Sequence, residues 1–127
     1  MKYFFLFFFA TNIFAFNWKE VTQNNEEIYY IDIDSIKKSK EMVYYWELAD
    51  RFEEKTIDKI TFKSSLSYNM IDCDMNRVKA LKHVYYKDKM ARGKILFSFD
   101  IESPSWSYNI PGTIGAILDD YACSVAK

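Results

Sequence analysis

The chain contains only three glycines and two prolines in 127 residues, and all five lie beyond residue 92. No stretch can serve as a Pro- or Gly-rich linker. With no internal repeat or low-complexity tract either, the chain reads as one domain. Histidine is almost missing: His83 stands alone in a strand-like stretch, which disfavours a metal centre or a nucleophile–base couple. The two cysteines, Cys73 and Cys123, lack the CxxC spacing of a redox or zinc pair. Ser64, Ser65 and Ser67 have no nucleophile elbow around them. The expectation is therefore a non-enzyme with no cofactor and no metal. Net charge is also nearly absent, at −1 from 17 basic and 18 acidic side chains, so nothing draws the chain globally toward nucleic acid. No apolar run is long enough for a bilayer: the longest, at the N-terminus, would reach about 21 Å as a helix against a hydrocarbon core of about 30 Å.

That N-terminal run is informative in itself. Lys2, then Tyr3 to about Ala10, then Ile13-Phe14-Ala15 follow the layout of a secretory signal peptide. Residues 1–15 are expected to be removed after Ala15, leaving residues 16–127 as a single exported domain. No cysteine follows the cut to take a lipid, so the product should be soluble or peripherally held, without a transmembrane segment. Six of the eleven phenylalanines lie in the leader, whereas nine of the ten tyrosines and all three tryptophans remain. Loss of Lys2 moves the formal charge to −2. In an exported domain an even cysteine pair reads as a disulfide. By the chain-entropy relation, closing a loop of roughly fifty residues contributes about 4 kcal/mol.

Strand patterns dominate. Ile60, Phe62, Leu66, Tyr68 and Met70 alternate with Thr61, Lys63, Ser65, Ser67 and Asn69, which predicts a half-buried strand whose polar side is wet. Ile95, Phe97, Phe99 and Ile101 repeat the pattern. Segments 28–32, 43–51 and 78–87 are β-branched and aromatic, and each carries a tyrosine doublet: Tyr29-Tyr30, Tyr44-Tyr45 and Tyr85-Tyr86. Neighbours in a strand point to opposite faces, so each doublet places one tyrosine on each side of the sheet. Residues 52–59 and 102–109 read as the long loops. After Ile110-Pro111-Gly112 the period changes, with Thr113 as N-cap and Ile114, Ile117, Leu118 and Tyr121 on one helix stripe. A regular helix would turn Cys123 opposite Ile114, so the helix is expected to end near Ala122. The adjacent Asp119-Asp120 fit a short, marginal helix. The whole is an α+β domain: an antiparallel β-sheet of about five to six strands with one C-terminal α-helix packed on it.

The order Trp18, Tyr29-Tyr30-Ile31-Asp32, Ser35-Ile36, Val43, Trp46, Leu48, Ser64-Ser65, Asp72-Cys73, Arg77, Gly93, Trp106, Ile110-Pro111-Gly112-Thr113 and Cys123 resembles the surface-adhesin protein E family of Gram-negative bacteria. The resemblance covers essentially all of residues 16–127, with Thr113 where the family more often has Ser. It implies a sheet of about six strands, one C-terminal helix and a Cys73–Cys123 bridge. It also implies an exported protein, in the periplasm or on the outer cell surface of a Gram-negative bacterium, that binds host extracellular-matrix or serum proteins by protein–protein contact. A homodimer is possible on the same ground. A periplasmic accessory or inhibitor protein acting on an envelope enzyme is the alternative.

Two surface features could carry binding. Residues 77–94 hold Arg77, Lys79, Lys82, Lys87, Lys89, Arg92 and Lys94 against Asp88 alone, a local +6 that could hold an acidic partner or protect a sheet edge. The tyrosines turned away from the helix, with Tyr85 and Tyr86 inside the basic stretch, form the other feature. Trp18, Trp46 and Trp106 could belong to that surface or fill the core. The carboxylate pairs Asp32/Asp34 and Asp72/Asp74 read as turn-formers at strand ends rather than acid–base or calcium groups.

Overall fold

A computed structural model describes residues 15–126; the expected leader lies almost wholly outside the described residues. The strands are β1 (Trp18–Gln23), β2 (Glu27–Asp32), β3 (Lys37–Ser39), β4 (Met42–Ile57), β5 (Ile60–Asp72), β6 (Arg77–Asp88), β7 (Arg92–Asp100) and β8 (Ser107–Tyr108), followed by helix α1 (Ile114–Val125). They form one antiparallel sheet in the order β1-β2-β4-β5-β6-β7, with β3 on β4 and β8 on β6. The described sheet thus has eight strands rather than five to six. The two extra strands are only three and two residues long, too short to show a period in the sequence. Residues 52–57 are not loop but the far end of β4, a 16-residue strand that turns directly into β5. Their exposure explains the misreading: without a buried side they carry no alternation.

The shortage of glycine shapes the hairpins. The turns β3–β4 and β4–β5 each have two residues, and both residues take positive φ: Lys40 (50°) with Glu41 (69°), and Asp58 (47°) with Lys59 (69°). This is the φ pattern of the type I′ turn, which suits the right-handed strand twist but favours Asn-Gly. Here charged side chains occupy left-handed positions at a local steric cost. Gly93, at φ 78°, does use its freedom, because a Cβ there would collide with the Asp88 side chain.

Helix α1 is capped at its start by Thr113, whose Oγ1 accepts from the Ala116 N–H at 3.2 Å. It runs past Ala122 to Val125. Its buried residues are Ala116, Leu118, Asp119 and Ala122, while Ile117 is exposed. The buried stripe is therefore rotated by about one residue, roughly 100°, from the one that apolar spacing predicts. That rotation brings Cys123 to the flank of the packed face and lets a regular helix reach Cys73, with the two Cα atoms 6.1 Å apart. Leu118 and Ala122 pack with Ile31, Val43, Tyr45 and Ile71 in the main core.

The sheet face opposite α1, the open face, has its own smaller core. Leu48, Leu66 and Val84 are buried there beneath Phe16, Trp18, Tyr30, Trp46 and Tyr86, together with Met90 and Ala91 of the turn between β6 and β7. Leu66, Tyr68 and Met70 of β5 therefore belong to the open face, whereas Phe62 packs with Tyr85 on the other side. Ser65, Ser67 and Asn69, expected to be wet, lie on the side of α1, and Asn69 is buried.

Candidate interaction surface

Cross-strand register assembles the open face in rows. Trp46 of β4 pairs with Tyr68 of β5, and Tyr68 with Lys82 of β6. The next row runs Lys37, Tyr44, Met70, Lys79 across β3, β4, β5 and β6. Partners in register share a face at close Cβ distance, so the first row runs from two aromatic rings to one ammonium group, and the second sets Tyr44 and Met70 between two ammonium groups. The rings touch: Trp46 and Tyr68 have centroids 4.8 Å apart, Tyr44 and Tyr68 6.1 Å. Phe16 stacks on Trp18 at 4.6 Å and meets Trp46 edge-on at 6.4 Å. Lys37 Nζ lies 5.6 Å from the Tyr44 centroid. Trp106, from the segment before β8, receives Arg77 at 4.3 Å and Lys79 at 4.5 Å over its ring.

A bulge makes this possible. Lys79 and Lys82 are three apart, and strict alternation would put them on opposite faces. The register of β6 against β5 shifts between Tyr68 and Asn69, so that Asn69 pairs with Ala80 and Tyr68 with Lys82. The extra residue, Leu81, returns Lys82 to the side of Arg77 and Lys79. Arg77 is held by Asp72, with Nη2 3.1 Å from Oδ2, and Lys82 Nζ is 3.2 Å from Asp100 Oδ1.

The nine residues singled out from the sequence do not form one patch. Arg77, Lys79 and Lys82 flank the aromatic rows. Tyr86 lies on the same face but packs into the smaller core. Tyr85 points the other way, edge-on to Phe62 at 4.7 Å. Lys87, Lys89, Arg92 and Lys94 are exposed at the far end, around the β6–β7 turn, where Lys89 Nζ donates to the Arg51 carbonyl and approaches Asp50 Oδ2 at 3.8 Å. Sequence reasoning missed Lys37, Tyr44, Trp46, Tyr68, Met70 and Trp106 as a group. Only the Tyr68/Met70 alternation signalled that they share a side.

The remaining candidates are structural. Asp32 Oδ1 accepts from the Asp34 N–H at 3.4 Å and Asp72 Oδ1 from the Met75 N–H at 3.2 Å, each closing a turn, and Asp32 Oδ1 also ties down the segment before β1 through the Asn17 N–H at 2.8 Å. His83 lies beside Phe99, ring centroids 5.6 Å apart, and burial pushes its pKa down. Among the described residues no cluster of three His, Cys, Asp or Glu could hold a metal ion. No described helix is long and apolar enough to cross a membrane.

Solved structures share this fold. Crystal form II of Haemophilus influenzae protein E superposes with a TM-score of 0.68 at 16% identity, over 91% of this chain and 92% of that one. A second Haemophilus influenzae protein E structure gives 0.62 at 16% identity, over 91% and 89%. Protein E from non-typeable Haemophilus influenzae gives 0.59 at 16% identity, over 90% and 77%. No curated protein sequence matches the chain. A family model described as surface-adhesin protein E matches residues 18–124, from the first residue of β1 almost to the end of α1. By that match the chain belongs to the surface-adhesin protein E family.

Proposed function

We propose that the protein is an exported, non-enzymatic adhesin, processed after Ala15, that holds host extracellular-matrix or serum proteins on the open face of its sheet. The observation that supports this reading is the pair of rows Trp46–Tyr68–Lys82 and Lys37–Tyr44–Met70–Lys79. Aromatic and methionine side chains there are left half-exposed by the fold and bordered by cations. Half-buried aromatic groups bring large contact area with little rotamer entropy to lose. The bordering ammonium groups raise the encounter rate with an acidic partner and make it salt-sensitive. Membership of an adhesin family supports surface exposure.

The test is binding of the purified domain to immobilised basement-membrane extract and to serum proteins, at low and high salt. Tyr68→Ala should weaken binding at every salt concentration. Lys79→Glu with Lys82→Glu should weaken it mainly at low salt. Folded variants that bind like the wild type would remove the open face from the site. No binding by the wild type would favour the periplasmic accessory role, which fractionation and surface labelling of intact cells would then distinguish.

A further inference from the structure

On the other side of the sheet, beside α1, the polar side of β5 floors a cleft of about 350 Å³. Val78 and Ala80 of β6 and Pro104 of the segment between β7 and β8 wall it, and Asp119 closes it from the helix. Two carboxylates meet here with no cation. Glu47 Oε1 accepts from Asn69 Nδ2 at 3.0 Å, and Asn69 is oriented by Ser67 Oγ, which donates to its Oδ1 at 2.8 Å. Asp119 Oδ1 accepts from the Tyr45 hydroxyl at 2.7 Å. Asp119 is only 3% exposed, and among the described residues its buried Oδ2 makes no hydrogen bond of ordinary geometry, the Asn109 side chain lying near enough only to hold its pKa down somewhat. Neither acid takes part in any ion pair among the described residues.

A buried carboxylate oxygen without a donor is expensive, and two such acids in one cleft repel each other. We propose that this cleft binds a primary ammonium group, seated between Asp119 Oδ2 and the Glu47 carboxylate. The chemistry fits on three counts. An ammonium brings three donors and no acceptor, which is what the unpaired oxygen and its neighbour lack. It is a compact point charge, matched to a floor that already supplies neutral donors from Tyr45 and Asn69. The walls of Val78, Ala80 and Pro104 suit the short alkyl stem that carries such a group. A divalent metal fits less well, because the floor offers two acids and no third ligand among the described residues.

The electrostatics agree. Burial first, then the Asp119 carboxylate, pushes Glu47 up to about 7, with Glu27 adding to the effect. Burial also raises Asp119, against the lowering hydrogen bonds from Tyr45 and Asn109 and with a small addition from Asp120. Tyr45 itself is driven well up by burial and by both acids. A bound cation removes the repulsion and draws both acids back toward the ionised form. Alkylammonium groups stay charged up to about pH 10. Binding should therefore tighten as pH rises from 6 to 8.

The test titrates the isotope-labelled protein with n-butylamine, with n-butanol as the neutral isostere, and with Nα-acetyl-lysine methylamide, which separates a free amine from a lysyl side chain. Backbone amides of Ala80 and Asp119 should shift with both amines but not with butanol, and the Glu47 carboxyl should titrate at lower pH when saturated. Gly115→Leu adds a side chain at the cleft mouth, where a Cβ meets nothing within 4 Å, and should weaken amine binding about tenfold in a folded protein. Glu47→Gln and Asp119→Asn should each do the same. Equal shifts with amine and alcohol, no shifts at all, or undiminished binding by folded Gly115→Leu would overturn the proposal.

Discussion

The Tyr45 hydroxyl donates to Asp119 Oδ1 at 2.7 Å, joining β4 to α1 across 74 residues of sequence. It anchors the helix to the sheet through a polar contact inside the main core, where the sequence pattern shows only an aromatic doublet and an acidic pair. Tyr45→Phe leaves Asp119 without that donor in a buried position. We expect a loss of about 1–3 kcal/mol in chemical denaturation at neutral pH, and a smaller loss in the Asp119→Asn background, where the stranded charge is gone.

Stability should depend on pH through Glu47. Its pKa is raised from 4.5 to about 7 in the folded state. A folded protein that holds this proton more tightly than the unfolded chain gains stability that is complete below about 4.5 and lost as pH climbs through about 7. Wild type should therefore lose about 2–3 kcal/mol from this group between pH 4 and pH 8. Glu47→Gln should lack that component and be the more stable of the two at pH 8. Urea midpoints for both proteins at the two pH values check the sign.

The Cys73–Cys123 bridge spans 50 residues. Reduction, or Cys123→Ser, should lower the unfolding free energy by about 4 kcal/mol on the chain-entropy relation. Alkylation of the native, oxidised protein should find no reactive thiol; two free thiols would contradict the bridge.

Two hairpin turns are open to improvement. Replacing Asp58-Lys59 with Asn-Gly relieves two side chains held at positive φ. The substitution should raise stability by about 1 kcal/mol. The same pair at Lys40-Glu41 should act additively, since the two turns lie in different hairpins. Thermal melts of the single and double variants decide this.

Processing is checked by mass spectrometry of exported protein, which should begin at Phe16. That residue stacks on Trp18 and meets Trp46, so a mature chain would start with its first side chain already packed. Retention of residues 1–15 in a membrane fraction would identify a signal anchor instead.

Much of this fold was legible, and the failures have local causes. Alternation located β5 and β7, and capping plus a change of period located α1. The cysteine pair predicted the bridge. Periodicity alone could not say which side of β5 the helix would cover. Ser67 and Asn69 read as solvent-facing because nothing local distinguishes water from the floor of a polar cleft. The buried role of Asp119 was hidden for the same reason: its partner Tyr45 is distant in sequence. The open-face rows were partly concealed by the bulge at Leu81, which breaks the spacing that would have grouped Lys82 with Lys79.

The bridge also sets how the molecule carries load. Tension on the C-terminus passes from Cys123 straight to Cys73, at the end of β5, and bypasses β6, β7, β8 and nearly all of α1. Fifty residues of contour, about 170 Å when extended, stay out of reach of a pull. A pull between the two ends would therefore load the chain from β1 to β5, and the helix that roofs it could be unwound from its tail only as far as Cys123.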